Sequence, residues 1–373
     1  MFIENCMHRL LAAGLAALLL FASCERSAPG GRDTIDLVKT IASDIDAPEH
    51  ALLSGFQKPA SGGDICIIGT AETCRRLGDA FLRCDMFENA RGMNWGDGLK
   101  DFAGEEFAYI VDNAFTPYQG FVAEHGEESL REAAVRMCLA ALQTNCNISI
   151  YDLDGNQEKN PAKMIILADP WLFRDGKFDI DTLFTLTGCG VPVLSPQELM
   201  FDEVLGKEKK AFNMAVLCDS CFVGTGLYPG FFEAKARQYD VVGAHCFEAP
   251  TDLDGGLFVR LLDKYVEAGG TQPLDALLVD DLKVDMIGLK AELNAIRDYS
   301  KEESMRYGKL ISPDFKLVSS TSVTMTACYR VFREKSLFTH RIAQPVSREY
   351  NVRPRLDGNL MQFLLIPSEN VQN

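Results

Sequence analysis

Seven short segments place hydroxyl, amide and carboxylate groups directly after runs of apolar residues. They are Gly69-Thr70-Ala71-Glu72, Asp112-Asn113, Asp169-Pro170-Trp171, Ser195, Asp219-Ser220, Asp280-Asp281 and Ser319-Ser320-Thr321. In open α/β sheets such groups collect beyond the carboxyl ends of the strands, where backbone N–H groups and helix N-termini converge. Gathered there, they would hold a small polar ligand that offers donors, with Trp171 and Tyr228 adding a stacking face. The plainer role for each Asp or Ser is to cap the helix that follows, accepting an orphan N–H.

Other signals point to chemistry less directly. Cys218-Asp219-Ser220-Cys221 is a CxxC that would suit redox exchange or, with His245, zinc. A second CxxC is missing, and Cys218 ends an apolar run. Asp152, Asp154, Asn156 and Glu158 imitate a calcium loop without its sixth-position glycine, and Lys163 stands where its last carboxylate belongs. A polar, hairpin-like turn fits that segment better. Gly224 and Gly226 with the distant Glu248 imitate a dinucleotide fingerprint, but the third glycine comes one position late and Pro229 intrudes. No serine elbow, zinc-protease helix or phosphate loop is present, and His50, His125, His245 and His340 are scattered. No cofactor or metal set is implied.

The elements that must position these groups alternate. ICIIGT (65–70), FAYIVDN (107–113), KMIILADP (163–170) and VPVLSP (191–196) read as strands, and helical patterns occupy 72–84, 127–143 and 179–189. ISIYDLD (148–154) is a weaker strand candidate. After a charged bridge the alternation restarts, with strands at 211–220, 239–248, 275–281 and 315–323. Helical patterns lie between them, and one more follows at 325–338. Continuous apolar strands separated by helices indicate parallel sheets covered on both faces.

Composition narrows the partners. Net charge is −16, from 53 acidic and 37 basic residues, with no basic cluster to displace counterions from phosphates, which disfavours nucleic acid. Of the 12 cysteines, Cys66, Cys218, Cys246 and Cys328 sit inside apolar runs and read as reduced core residues.

The first residues carry an address. Arg9, the apolar run Leu10 to Phe21 and the small residues after it have the layout of a secretory signal. Twelve apolar residues are too few to span a bilayer, which takes about 20. Phe21-Ala22-Ser23-Cys24 resembles the lipobox of bacterial lipoproteins, which implies lipidation of Cys24 and a cell-envelope location with the membrane as partner.

The segment 209–281, with Asp219-Ser220, Gly224, Gly226 and Thr251-Asp252 in order, resembles the second lobe of type I periplasmic solute-binding proteins. That resemblance implies two doubly wound parallel-sheet lobes joined by a hinge, closing on a small polar ligand for a transporter or sensor. The expected organisation is a signal at 1–23, a tether at 24–34, lobes at 35–195 and 196–345, and a one-strand tail at 346–373. Crossing segments are expected near 196–210 and 282–290. Gly69, Asp112, Asp169, Asp219 and Asp280 are expected to face one cleft. The alternatives are an exported α/β hydrolase of carbohydrates or esters, and a ligand-free surface or assembly lipoprotein.

Overall fold

The computed structural model describes residues 32–205, 212–355 and 363–370, apart from positions 242, 254, 299 and 342. The leader and Cys24 lie outside the described residues. From Thr34 onward the chain packs as one compact unit. Among the described residues no helix is long and apolar enough to cross a membrane.

Two short helices, α1 (Asp36–Ser43) and α2 (Pro48–Ser54), precede β1 (Asp64–Gly69) and α3 (Ala71–Arg83). Then follow β2 (Glu106–Asp112), α4 (Tyr118–His125) and α5 (Glu127–Leu142). The calcium-like segment lies on a small antiparallel hairpin of β3 (Asn145–Cys146) and β4 (Gln157–Glu158). The strand expected over 148–154 is absent; Asp152 instead ties the turn, accepting from the Ile148 and Asn156 N–H groups. β5 (Ala162–Leu167), α6 (Pro170–Thr187) and β6 (Val193–Leu194) complete the first half.

The expected charged bridge is in large part a helix, α7 (Pro196–Leu205). Two of its acids are paired, Glu198 taking Lys177 at 3.3 Å and Lys235 at 3.1 Å, and Asp202 taking Lys235 at 2.9 Å. The second sheet is built from β7 (Phe212–Cys218), β8 (Ala244–Pro250), β9 (Leu274–Asp280) and β10 (Ile311–Ser319). Its helices are α8 (Leu227–Gln238), α9 (Leu257–Glu267), α10 (Met286–Arg297) and α11 (Glu302–Tyr307). The chain returns to the first sheet through α12 (Ser320–Lys335), not through 282–290, which leads from β9 into α10 and back to β10 of the second sheet. The tail supplies two strands, β11 (Val346–Pro354) and β12 (Phe363–Pro367).

The first sheet runs β12-β11-β2-β1-β5-β6, parallel except for the β11–β12 pair, and the second runs β10-β9-β7-β8, all parallel. A mixed α/β fold with parallel sheets is therefore what the apolar runs encode. Strand alternation explains the layering. In β1, Ile65 and Ile67 face one core beneath α3 and α12, while Cys66 and Ile68 face another. In β7, Met214 and Val216 join that same second core, and Ala215 and Leu217 point away into a third. A single apolar layer, including Phe201, Tyr228 and Phe232, thus continues from one sheet to the other.

Candidate functional site

The carboxyl ends of both sheets open onto one cleft of about 190 Å³. Asp169 enters from the first sheet, at the turn between β5 and α6, where it is the helix N-cap and its Oδ1 accepts the Trp171 N–H at 2.9 Å. Asp280 enters from the last position of β9. Its Oδ2 accepts from the Tyr228 hydroxyl at 2.7 Å and from Gln197 Nε2 at 2.8 Å. Gln197 is oriented in turn by Ser195, whose Oγ donates to Gln197 Oε1 at 2.9 Å. A chain of polar contacts therefore runs from the end of β6 in one sheet to the end of β9 in the other.

Burial shapes the electrostatics. Loss of water pushes the Asp169 carboxyl up to about 7, and the neighbouring charges of Asp280 and Asp112 push the same way. Burial also raises Asp280, against the hydrogen bonds from Tyr228 and Gln197 that favour its ionised form. At the mouth, Lys283 Nζ lies 3.3 Å from Glu72 and 3.8 Å from Asp219, bridging α3 to the β7 end. Glu72 also pairs with Arg76 at 3.0 Å, and the two cations hold it below the usual carboxylate range. The Cys221 N–H and Lys283 lower Asp219, while burial and Asp219 raise the Cys221 thiol to about 12.

Of the residues in the expected segments, Thr70, Glu72, Asp169, Pro170, Asp219, Asp280, Asp281 and Ser320 line this cleft. Thr70 also caps α3, its Oγ1 accepting the Thr73 N–H. Gly69 and Ser319 end their strands immediately before lining residues. Ser195 is buried behind the wall and acts through Gln197, and Ser220 precedes the lining residue Cys221. Asp112 is buried beneath, with Oδ1 capping the Ala114 and Phe115 N–H groups and Oδ2 lacking a well-aligned donor. Asn113 turns to the tail, donating to Asn351 Oδ1 at 2.6 Å.

The expected stacking face is not formed. The Trp171 and Tyr228 rings are both packed into the core shared by the sheets, Trp171 beneath the Arg174 guanidinium. An indole and a phenol on the first turn of a helix point back toward its own packing face.

Sequence reasoning missed Gln197, Lys283, Arg76 and Cys221 as lining residues. Ser195-Pro196-Gln197-Glu198 carried a usable signal, because Ser before Pro before an acid marks a helix start at a strand end. The CxxC does not close: Cys218 is buried, Cys221 exposed, and both are unpaired. Among the described residues no His, Cys, Asp and Glu cluster has metal-holding geometry. The Gly224 turn is taken by the chain's own Glu248, whose Oε2 accepts the Gly224 N–H at 3.1 Å.

No protein-family model matches the chain, and no curated protein matches it. The solved structures found in comparison are glutamate racemases. The enzyme from Francisella tularensis, in complex with D-glutamate, shares 12% identity over 81% of this chain and 92% of its own, with a TM-score of 0.46. An isoform from Bacillus anthracis shares 14% over 78% and 88%, with a TM-score of 0.45. The Thermus thermophilus enzyme, in complex with β-chloro-D-alanine, shares 15% over 81% and 92%, with a TM-score of 0.42. At that level of likeness no residue role passes from those chains to this one.

These findings correct the reading of 209–281. The comparisons return racemases, not type I periplasmic solute-binding proteins, so the solute-binding function, the hydrolase and assembly-lipoprotein alternatives, and the transporter, sensor and membrane partners fall away. The packing supplies a physical reason: a hinged binder needs lobes whose cores separate, whereas here one apolar layer joins both sheets. The Asp-Ser and glycine pattern that suggested the family is local turn chemistry. Asp219 holds the Cys221 N–H, and Gly224 and Gly226 take positive φ near 77°.

Proposed function

We propose that the chain is an enzyme that moves a proton on and off a small amine-bearing molecule held in the cleft between the two sheets. The observation that carries this reading is the pair Asp169 and Asp280. They are carboxyls delivered by different sheets to one small cavity, Asp169 buried and Asp280 half-buried, and Asp169 is raised to about 7. A group poised near neutral pH is an effective general acid or base, and an acid perturbed by burial and a nearby charge in a cleft is a candidate for chemistry.

The wall favours a cationic or amine-bearing substrate. Glu72, Asp169, Asp219, Asp280 and Asp281 face it, against only Arg76 and Lys283, both of which already lie against Glu72. The cleft, about 190 Å³, is small beside the roughly 300–1,000 Å³ of typical ligand pockets, which suits a small substrate. We place the work outside the cytoplasm, on the strength of the charged, apolar and small-residue pattern of the leader. Cell fractionation with N-terminal mass analysis tests the location, and an intact Met1 in the cytoplasmic fraction would overturn it.

The enzyme reading is tested by incubating the protein in D₂O with a panel of small amines and amino acids, following loss of C–H signals by proton NMR between pH 6 and 8. At least one compound should exchange, and Asp169→Asn and Asp280→Asn should each abolish the exchange. Failure of every compound with folded protein, or unchanged exchange in both variants, refutes the proposal.

A further inference from the structure

The two carboxyls of the cleft are not equivalent, and their surroundings divide the labour between them. Asp280 Oδ2 is held by two side-chain donors, the Tyr228 hydroxyl at 2.7 Å and the Gln197 amide at 2.8 Å. The Gln197 amide cannot turn over freely, because Ser195 Oγ donates to its other end and fixes the NH₂ toward Asp280. Both donors therefore favour a carboxylate at Asp280. Asp169 accepts a single backbone N–H, from Trp171. It lies within the field of the Asp280 charge, which makes its own ionisation harder once Asp280 is ionised.

From this asymmetry we infer that Asp280 is the base of the cleft and Asp169 its acid, with Tyr228 and Gln197 as positioning residues that keep Asp280 ionised. The inference rests on the proton-transfer reading and assigns its roles. In one turnover Asp280 takes a proton from substrate carbon or nitrogen, whose electron pair stays on the substrate. Asp169 then supplies a proton from the opposite sheet. Afterwards Asp280 is the acid form and Asp169 the carboxylate, so the reverse reaction, or exchange with water, resets the pair. The other titratable groups around the pair are Cys74, Asp112 and Tyr118 from the first sheet and Cys218, Cys221, Tyr228 and Asp281 from the second. Lys283, a cation at the mouth, lies against Glu72 and Asp219 instead.

The test needs no substrate. Carboxyl carbon NMR of ¹³C-Asp-labelled protein, assigned through Asp169→Asn and Asp280→Asn, follows both groups from pH 3 to 9. Asp280 should ionise first and Asp169 last, near 7. Asp280→Asn should lower the Asp169 midpoint, and Tyr228→Phe should raise the Asp280 midpoint. Gln197→Met, which leaves the buried tyrosine in place, serves the same purpose should Tyr228→Phe fail to fold. Asp169 titrating before Asp280, or an Asp169 midpoint indifferent to Asp280→Asn, overturns the assignment even if exchange is found. The expected order without exchange in any compound leaves the two ionisation states standing and removes the enzyme.

Discussion

Lys163 is among the largest fully buried side chains, and replacing it tests how the floor of the first sheet is held. Its Nζ donates to Glu105 Oε2 at 2.5 Å, to the Ser61 carbonyl at 2.7 Å and to the Leu337 carbonyl at 2.9 Å, and it sits 4.9 Å from the centre of the Phe332 ring. Both charged groups have no exposed surface. Burial pushes Lys163 down and Glu105 up, toward their neutral forms, and their mutual attraction opposes both shifts. Lys163→Met removes the attraction and leaves Glu105 buried with the Thr339 N–H. Stranding one member of a buried pair costs about 3–5 kcal/mol, and urea midpoints at constant m-value would read it. The sign with pH follows from the proton. Glu105 in the variant has a folded pKa raised further above its unfolded value. The penalty is therefore small below roughly pH 4.3, where the unfolded carboxyl is protonated too, and grows as pH climbs. Lys163→Met with Glu105→Gln removes the stranded charge and keeps the Thr339 contact, so it should recover most of the loss. A single variant within about 1 kcal/mol of wild type at pH 7, or a double variant no better than the single, would refute this account.

Asp169, raised to about 7, favours the folded state in its protonated form. Its contribution is fully present below the unfolded pKa and is lost as pH rises toward 7, on the order of 3–4 kcal/mol. Asp169→Asn should flatten that slope in urea melts between pH 4 and 8, and an unchanged slope would exclude Asp169 as its source. A Cβ on Gly176 would lie 2.3 Å from the Ala134 Cβ where α6 meets α5. Gly176→Ala should therefore destabilise by about 1–3 kcal/mol despite its better helix propensity, and Ala134→Gly should restore stability, as calorimetry of the single and double variants would show. All ten described cysteines are unpaired, with only Cys221 exposed. Native thiol titration should label Cys221 first and reach the seven buried thiols only after denaturation; three or more disulfides by mass spectrometry would contradict the fold.

The alternation of strands and helices was legible in the sequence because strands buried on both faces must be apolar at every position. ICII and MAVL show it without help from the rest of the chain. The strand-end acids were legible for the same reason, since the groups that follow such strands gather at one end of a parallel sheet. Asp169, Asp219 and Asp280 do line one cleft. Less regular elements were not legible. β11 reads VSREYNVRP, with its first three residues exposed, and nothing local tells that it pairs with β2. The route of α12 beneath the first sheet depends on Met325, Cys328, Tyr329 and Phe332 meeting Phe81 and Phe102, residues more than 220 positions away. That Trp171 and Tyr228 pack in the core rather than face a ligand is likewise a matter of which helix face meets the second sheet. The chemistry of the cleft was decided last. A carboxyl's type is local, but its proton affinity depends on the water it loses and the charges it meets. Asp169 meets Asp280 only because two sheets, 111 residues apart along the chain at these positions, share one apolar layer.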